Sequence, residues 1–388
     1  MNGRAPLQAR QVRTGTSACS STKLGRTLRK KVILMESYSF PAITYEEIDE
    51  SRQFIIDVRS PEEYKEFHLP GSISLPLFSN EERKLIGTIY KQESRAKAKK
   101  TGMEIYARKL PAFYDEWTSL LKQHKGKTPV VTCARGGMRS GAFVGTMLSM
   151  KMPVRQLKGG MRAVRQHVLS RLDSFSALTW KTIVLGGLTG TGKTAWLRQL
   201  KEQGYPVLDL EGLADHRGSV FGHIGLTPKT QKQFEFELVQ ELQQCAAKNH
   251  TFIIEAESKR IGRITVPPFI ISAKEHGSFI EIRDRMDRRI RHLMADYQPF
   301  TYQNDIRMAL NKIWRRLPDQ IKPSAEEALE TGNYERLFEL LLQHYYDRRY
   351  THKQNGYVNR QEVRTVELAP LDDESILPAI EHEIDRLL

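Results

Sequence analysis

The chain has no run of 18 or more apolar residues, so nothing in it predicts a membrane span. Cysteine is scarce. Cys19, Cys133 and Cys245 are too few and too far apart for a disulfide framework or a paired metal-ligand spacing, which fits a reducing, cytoplasmic setting. There is no internal repeat, and no low-complexity tract after residue 35. Acid is missing from residues 1–34, which hold eight Lys or Arg and no Asp or Glu. That stretch, rich in Arg, Ser, Thr and Gly without an apolar period, reads as a disordered basic extension (residues 1–35). It is either a transit peptide or the product of an upstream start, and the second fits better because Met35 opens the globular pattern.

What is present is a chain of 388 residues, too long for one ordinary core, so two domains are expected. The net charge is +14, and removing the eight N-terminal cations leaves +6. A basic balance favours a polyanionic partner, nucleic acid first, although a solvated Lys/Arg surface gives the same number.

Strand-like and helix-like segments alternate, which predicts parallel α/β sheets. Phe54-Ile-Ile-Asp57-Val58 reads as a strand, and Ser60-Pro-Glu62-Glu63 as a helix start. His68-Leu-Pro70-Gly71 reads as a turn, with His68 a turn residue rather than a base. Residues 81–126 look helical and highly charged. The apolar run Val130-Val-Thr ends at Cys133, followed by Ala-Arg135-Gly136-Gly137-Met-Arg139 and a helix-compatible stretch from Ser140. A sulfur over amides at a helix N-terminus, beside two arginines, is held as the thiolate, the form that attacks or carries a group. The reading requires a sulfur that solvent can reach. Cys245, inside a predicted helix, reads as a packing residue.

Gly187-Leu-Thr-Gly190-Thr-Gly192-Lys193-Thr194 follows a predicted strand and precedes a predicted helix, the context a phosphate loop needs. Its amides would cradle a diphosphate, Lys193 would contact the terminal oxygens, and Thr194 could hold Mg²⁺. Glu255 stands where a Walker-B-type acid is expected, with Asp209 and Glu211 as rivals. ATP or GTP hydrolysis is the default, but a prenyl diphosphate presents much the same anion with an apolar tail. Residues 171–180 read as a linker between domains at 36–170 and 181–388. Beyond residue 285 the chain reads as helical.

Asp57-Val-Arg59, the His68–Ile73 turn and the Cys133 loop, in this order, resemble the rhodanese family over residues 40–165. The resemblance implies a cysteine that carries sulfur or selenium, with Arg135 and Arg139 adding charge, and with Asp57 and Arg59 fixing loops. The Cys-x5-Arg spacing is one residue longer than in common sulfurtransferases. It resembles the rhodanese-like phosphatases, whose loop cradles a tetrahedral phosphate, so carrier and phosphatase chemistry both stay open.

The fusion of that unit with the phosphate loop resembles the tRNA 2-selenouridine synthase family. The shared segments are Leu75–Leu77 with Asn80–Arg83, Gly87–Gln92, Asp209–Gly222 with His216-Arg217-Gly218-Ser219, Glu255–Gly262 and Tyr345–Tyr350. The resemblance implies an α/β protein in which a rhodanese-like domain precedes a P-loop NTPase-like domain with a helical C-terminal part. It implies geranylation of wobble 2-thiouridine from geranyl diphosphate, then exchange for selenium from selenophosphate through Cys133. It implies Lys, Glu and Gln tRNAs as partners, with a selenophosphate-supplying enzyme as a further one and no tightly bound cofactor. His216 and Arg217 would contact phosphate or serve as a structural turn. Arg283, Arg285, Arg288, Arg289 and Arg291, interleaved with Tyr297 and Tyr302, suit tRNA contact or a solvated helix face. The alternative is a P-loop kinase or NTPase with a rhodanese-like sulfurtransferase or phosphatase module.

Overall fold

The computed structural model describes residues 40–256, 258–349 and 362–388, all within one compact unit, Phe40–Leu388. The N-terminal extension, Cys19, Glu257 and Tyr350 lie outside the described residues.

The first sheet is parallel, in the order β1-β5-β4-β2-β3. Its strands are β1 (Ala42–Ile43), β2 (Gln53–Asp57), β3 (Ile73–Ser74), β4 (Thr128–Thr132) and β5 (Arg155–Leu157). The central β2 and β4 are near-continuous apolar runs because helices cover both faces. These helices are α1 (Pro61–Glu66), α2 (Asn80–Gln92), α3 (Arg95–Gln123), α4 (Met138–Ser149) and α5 (Gly160–Ser176). Ser79 starts α2 by accepting from the Glu82 amide, while the Glu82 carboxylate accepts from the Ser79 amide. Ser94 caps α3. The charged 81–126 stretch is thus two helices joined by a tight turn.

The second sheet is also parallel, in the order β12-β11-β6-β8-β7. It comprises β6 (Lys181–Gly187), β7 (Val207–Leu208), β8 (Thr251–Glu255), β11 (Ser278–Arg283) and β12 (Val363–Glu367), with a small hairpin of β9 (Arg260–Ile261) and β10 (Ile264–Thr265) beside it. Its helices are α6 (Lys193–Glu202), α7 (Leu210–Ala214), α8 (Gln231–Ala246), α9 (Pro268–Glu275) and α14 (Asp373–Asp385). A helical cluster with its own apolar core holds α10 (Met286–Tyr297), α11 (Gln303–Ile313), α12 (Lys322–Glu330), α13 (Tyr334–Leu341) and a π-helical turn at Leu342–Tyr346.

Three expectations need correction. Residues 171–176, expected as linker, are helical and close α5. The C-terminal part is not wholly helical: β12 closes the second sheet, a mixed charged segment whose strand character comes from pairing with β11. The strand expected through Glu211 stops at Leu208, because the Asp209 carboxylate accepts from the Gly212 amide and starts α7.

One apolar cluster runs from the first sheet into the second, including Phe67 and Leu69 on one side and Phe234 and Phe236 on the other. Phe236 meets Phe67 at 5.7 Å and Tyr45 at 6.2 Å between ring centres. The His68 amide donates to Gln233 Oε1 at 3.1 Å, and Lys232 pairs with Glu66 at 2.6 Å. The two parallel sheets therefore share a packed seam.

Candidate active site

Cys133 ends β4, and its loop turns into α4. The sulfur lies 3.1 Å from Ser140 Oγ, which accepts from Gln156 Nε2 at 2.8 Å. Burial by itself would push the thiol up. The Ser140 hydroxyl and the backbone amides of Ser140, Arg135 and Gly137 outweigh it, so the thiol lies below its ordinary value. Cys245 is the contrast: burial without such donors pushes it up to about 12. Gly160 is required beneath the loop, because its backbone is left-handed and a Cβ there would collide with the Cys133 carbonyl oxygen.

The expectation of a solvent-open sulfur is not met, since Cys133 is only 3% exposed. The amides that lower the pKa of the thiol belong to the same loop that covers it. Use of this thiol therefore requires the loop to open.

Arg135 contributes its amide to the sulfur, while its side chain is exposed. Arg139 is pulled sideways onto Glu63, with Nη1 2.5 Å from Oε2 and Nη2 3.0 Å from Oε1. Arg83 adds a longer contact, Nε to Glu63 Oε2 at 3.6 Å. Burial would raise the Glu63 carboxyl, but Arg139, the Ser60 amide and Arg83 bring it down to about 2. Glu63, Ser140 and Gln156 were missed as site residues, because their partners lie far away in the chain or carry no motif. Asp57 and Arg59 form a buried pair at 2.6 Å, and Arg59 also donates to the Phe67 carbonyl. Their contacts tie β2 to the turn before His68, whose ring stacks on Tyr64 at 4.3 Å.

The second site sits at the C-terminal end of β6, where parallel sheets place ligands. Gly187, Gly190, Gly192, Lys193 and Thr194 line one wall of a cavity of about 490 Å³. Gly190 has φ +87°, and a Cβ there would come within 2.8 Å of the Arg289 carbonyl oxygen. Lys193 Nζ donates to the carbonyls of Gly187 and Leu188 at 3.0 and 3.1 Å and lies 3.4 Å from Glu255 Oε1. The Thr194 hydroxyl lies 2.9 Å from Glu255 Oε2 and 3.3 Å from Glu211 Oε2. Two of the three candidate acids thus converge on Thr194. Asp209 does not: it caps α7 and pairs with Arg198 at 3.2 Å.

The far wall is formed by Arg217, Val220, Leu293, Tyr297, Tyr345 and Tyr346, with Arg349 at its edge. Arg217 stacks over Tyr297 at 5.3 Å and Arg349 over Tyr345 at 5.0 Å. Burial pushes the Tyr297 phenol up to about 12, so it stays a neutral hydrogen-bonding group, 3.2 Å from Ser219 Oγ. His216 is buried behind this wall, against Gly222 and Gly262, and burial lowers its pKa. It does not line the cavity, so of the His-Arg pair only Arg217 faces a ligand.

The arginine row expected for tRNA contact divides. Arg288 and Arg289 are 2% and 3% exposed. Arg288 bonds to Asp284 and to the Leu368 and Leu371 carbonyls, and Arg289 to Asp347 and the Thr189 carbonyl. Arg283 and Arg285 are neutralised by Glu281 and Asp287. Tyr297 is buried in the cavity wall and Tyr302 lies against Gly225. Among the described residues no group of three or more His, Cys, Asp or Glu is placed to hold a metal, and no helix is long and apolar enough to cross a membrane.

A thiolate-stabilising loop on one parallel sheet and a diphosphate cradle on the next define the class: a rhodanese-like domain followed by a P-loop-type domain. Residues 41–167 match the rhodanese-like domain family, and residues 180–367 match the family described as tRNA 2-selenouridine synthase AAA domain. The chain belongs to the tRNA 2-selenouridine synthase family. Proteins named tRNA 2-selenouridine synthase are similar to it. The one from Nitrosomonas eutropha is 33% identical over 63% of this chain and 62% of its own length. Those from Shewanella woodyi and Shewanella pealeana are 32% and 33% identical over 66% of this chain, and over 68% and 69% of their lengths. The chain thus spans less than two thirds of the Nitrosomonas relative.

Proposed function

We propose that this protein is an enzyme acting on tRNA that converts wobble 2-thiouridine to 2-selenouridine, first geranylating the sulfur and then exchanging it for selenium. The observation that carries the reading is the pairing, within one compact unit, of a hydrogen-bonded cysteine of lowered pKa with a phosphate cradle whose cavity also carries Val220, Leu293 and three tyrosines among its charged side chains.

In the first step the uridine sulfur attacks the allylic carbon of geranyl diphosphate, a carbon–sulfur bond forms, and the carbon–oxygen bond to diphosphate breaks. Lys193 and the loop amides neutralise the departing diphosphate. The wall of Leu293, Val220, Tyr297, Tyr345 and Tyr346 suits an unsaturated apolar tail, and the cavity lies within the ordinary range of roughly 300–1,000 Å³ for small-ligand sites. In the second step selenium bonds to the pyrimidine C2 as geranylthiolate leaves. Alkylation turns a poor leaving group into a better one. Cys133 is assigned the relay. Its thiolate attacks the selenium of selenophosphate, and the sulfur–selenium bond forms as the selenium–phosphorus bond breaks and phosphite leaves with the electron pair. The outer selenium bonds to C2, and a cellular thiol then cleaves the sulfur–selenium bond. Arg139, paired with Glu63, lies by the loop that receives the anion.

Mg²⁺ fits the second site in part. The Thr194 hydroxyl and the Glu255 and Glu211 carboxylates are hard oxygen donors, and two of them with a diphosphate would complete the usual sparse protein set. When bound, Mg²⁺ would neutralise diphosphate charge. Cytoplasmic action on the Lys, Glu and Gln tRNAs, with a selenophosphate-supplying enzyme upstream, belongs to the same proposal.

Nucleoside mass spectrometry on thiolated tRNA tests it. Cys133→Ser should accumulate the geranylated nucleoside and form no selenouridine, whereas Lys193→Ala should lose geranylation. Robust ATP turnover with no response to geranyl diphosphate would sink the reading in favour of an NTPase. Aryl phosphate hydrolysis dependent on Cys133 would favour the phosphatase.

A further inference from the structure

Helices α2 and α3, which follow β3 and precede β4 in the chain, form a hairpin whose later part is packed into the core of the first sheet. Gly102 of α3 packs toward Phe78 and Ile86, so the two helices run side by side. Between Lys84 and Gly102 the chain carries six cations and one acid, Glu93, which pairs with Lys97. Among the described residues, Lys84, Lys91, Arg95, Lys99 and Lys100 have no carboxylate partner, and all five are exposed. This contrasts with Arg283, Arg285, Arg288 and Arg289, whose charges are met by Asp and Glu. The first turn of α3 contains no acid, so the cations there oppose the helix dipole.

The same surface exposes groups that can meet a base. Leu85, Tyr90 and Met103 are 50%, 44% and 60% exposed, and the Arg95 guanidinium lies 5.5 Å over the Tyr90 ring. The root of the hairpin is wired to the cysteine loop. Asn80 Oδ1 accepts from the Glu62 amide at 3.0 Å, and Arg83 reaches Glu63, which holds Arg139. Lys91 lies eight residues beyond Arg83, about 12 Å along the helix, a span of roughly two nucleotide steps.

We propose that the outer face of the α2–α3 hairpin is an RNA-binding surface that grips the phosphodiester backbone of the substrate tRNA and leads it to the Cys133 loop. This assignment rests on tRNA as the substrate. A row of unpaired cations neutralises phosphates without reading sequence, and the Tyr90–Arg95 pair offers a stacking face that an acidic polypeptide would not use.

The test is tRNA binding by the full chain, measured by fluorescence anisotropy as salt is varied. The variant is Lys91→Gln, Arg95→Gln, Lys99→Gln and Lys100→Gln together, all on exposed positions. The slope of log affinity against log salt should fall by up to about 4, with at least a roughly tenfold loss of affinity near 0.1 M salt. Pyrophosphate binding should be unchanged, which shows that the fold is intact. The double variant Arg283→Gln, Arg285→Gln, whose charges are already paired, should bind tRNA nearly as the wild type does. Wild-type affinity and slope in the hairpin variant would overturn the proposal. So would retained tRNA binding with loss of poly-glutamate binding, which would make the face a protein-docking surface. If the unaltered chain binds no tRNA, the function reading itself fails and the hairpin falls with it.

Discussion

Replacing Glu63 with Gln is the sharpest probe of the cysteine loop. The carboxylate is partly buried, 25% exposed, and is gripped by Arg139, itself 15% exposed. Its pKa falls from 4.5 to about 2 on folding. Such a depression corresponds to ~3 kcal/mol of stability at neutral pH, an upper figure because solvent reaches the pair. Glu63→Gln keeps an acceptor for Arg139, so a loss of about 2 kcal/mol is expected at pH 7. The sign follows from a depressed pKa. The stabilisation is fully present above about pH 4.5 and is lost as pH falls toward 2. At about pH 3.5 the gap between wild type and variant should therefore narrow by ~1.4 kcal/mol. Urea unfolding at the two pH values measures this, with Glu62→Gln, an exposed neighbour, as the control expected to do little. A gap that is absent at pH 7, or that does not narrow on acidification, would refute the ion-pair account of how Arg139 is held.

Three further outcomes follow from the same geometry. At pH 7, iodoacetamide should modify Cys133 before Cys245 in peptide mass maps, because one thiol is lowered by donors and the other pushed up to about 12; preferential modification of Cys245 would contradict this. Lys193→Ala should weaken pyrophosphate binding by roughly 10- to 100-fold by calorimetry, the scale of losing charge-assisted contacts to an anion, with thermal stability little changed. Gly190→Ala should also abolish detectable pyrophosphate binding, since a Cβ there meets the Arg289 carbonyl oxygen at 2.8 Å and forces the loop out of shape; undisturbed binding would show that the loop is not the anion site.

Much of this protein is determined by local sequence. Buried parallel strands are written as short apolar runs, as in Phe54–Val58 and Val130–Thr132, because covering helices leave them no wet face. The phosphate loop is legible because diphosphate binding requires glycines and a lysine at fixed spacing immediately after a strand. The cysteine loop is legible for the same reason. What the chain could not show are contacts across long separations. Glu63 meets Arg139 from 76 residues away, and the second wall of the cavity is assembled from Arg217, Tyr297, Tyr345 and Tyr346, which share no motif. Charge was the most misleading signal. The arginine-rich α10 looked like the nucleic-acid face, yet two of its three arginines, Arg288 and Arg289, are buried in ion pairs, while α2 and α3 carry a cluster of cations with no carboxylate partner among the described residues. Composition counts charges, but only the tertiary structure decides which of them have found a partner, because pairing depends on distances between elements that sequence spacing does not encode. Whether the sulfur is open or covered was settled in the same way, by how the loop closes over it.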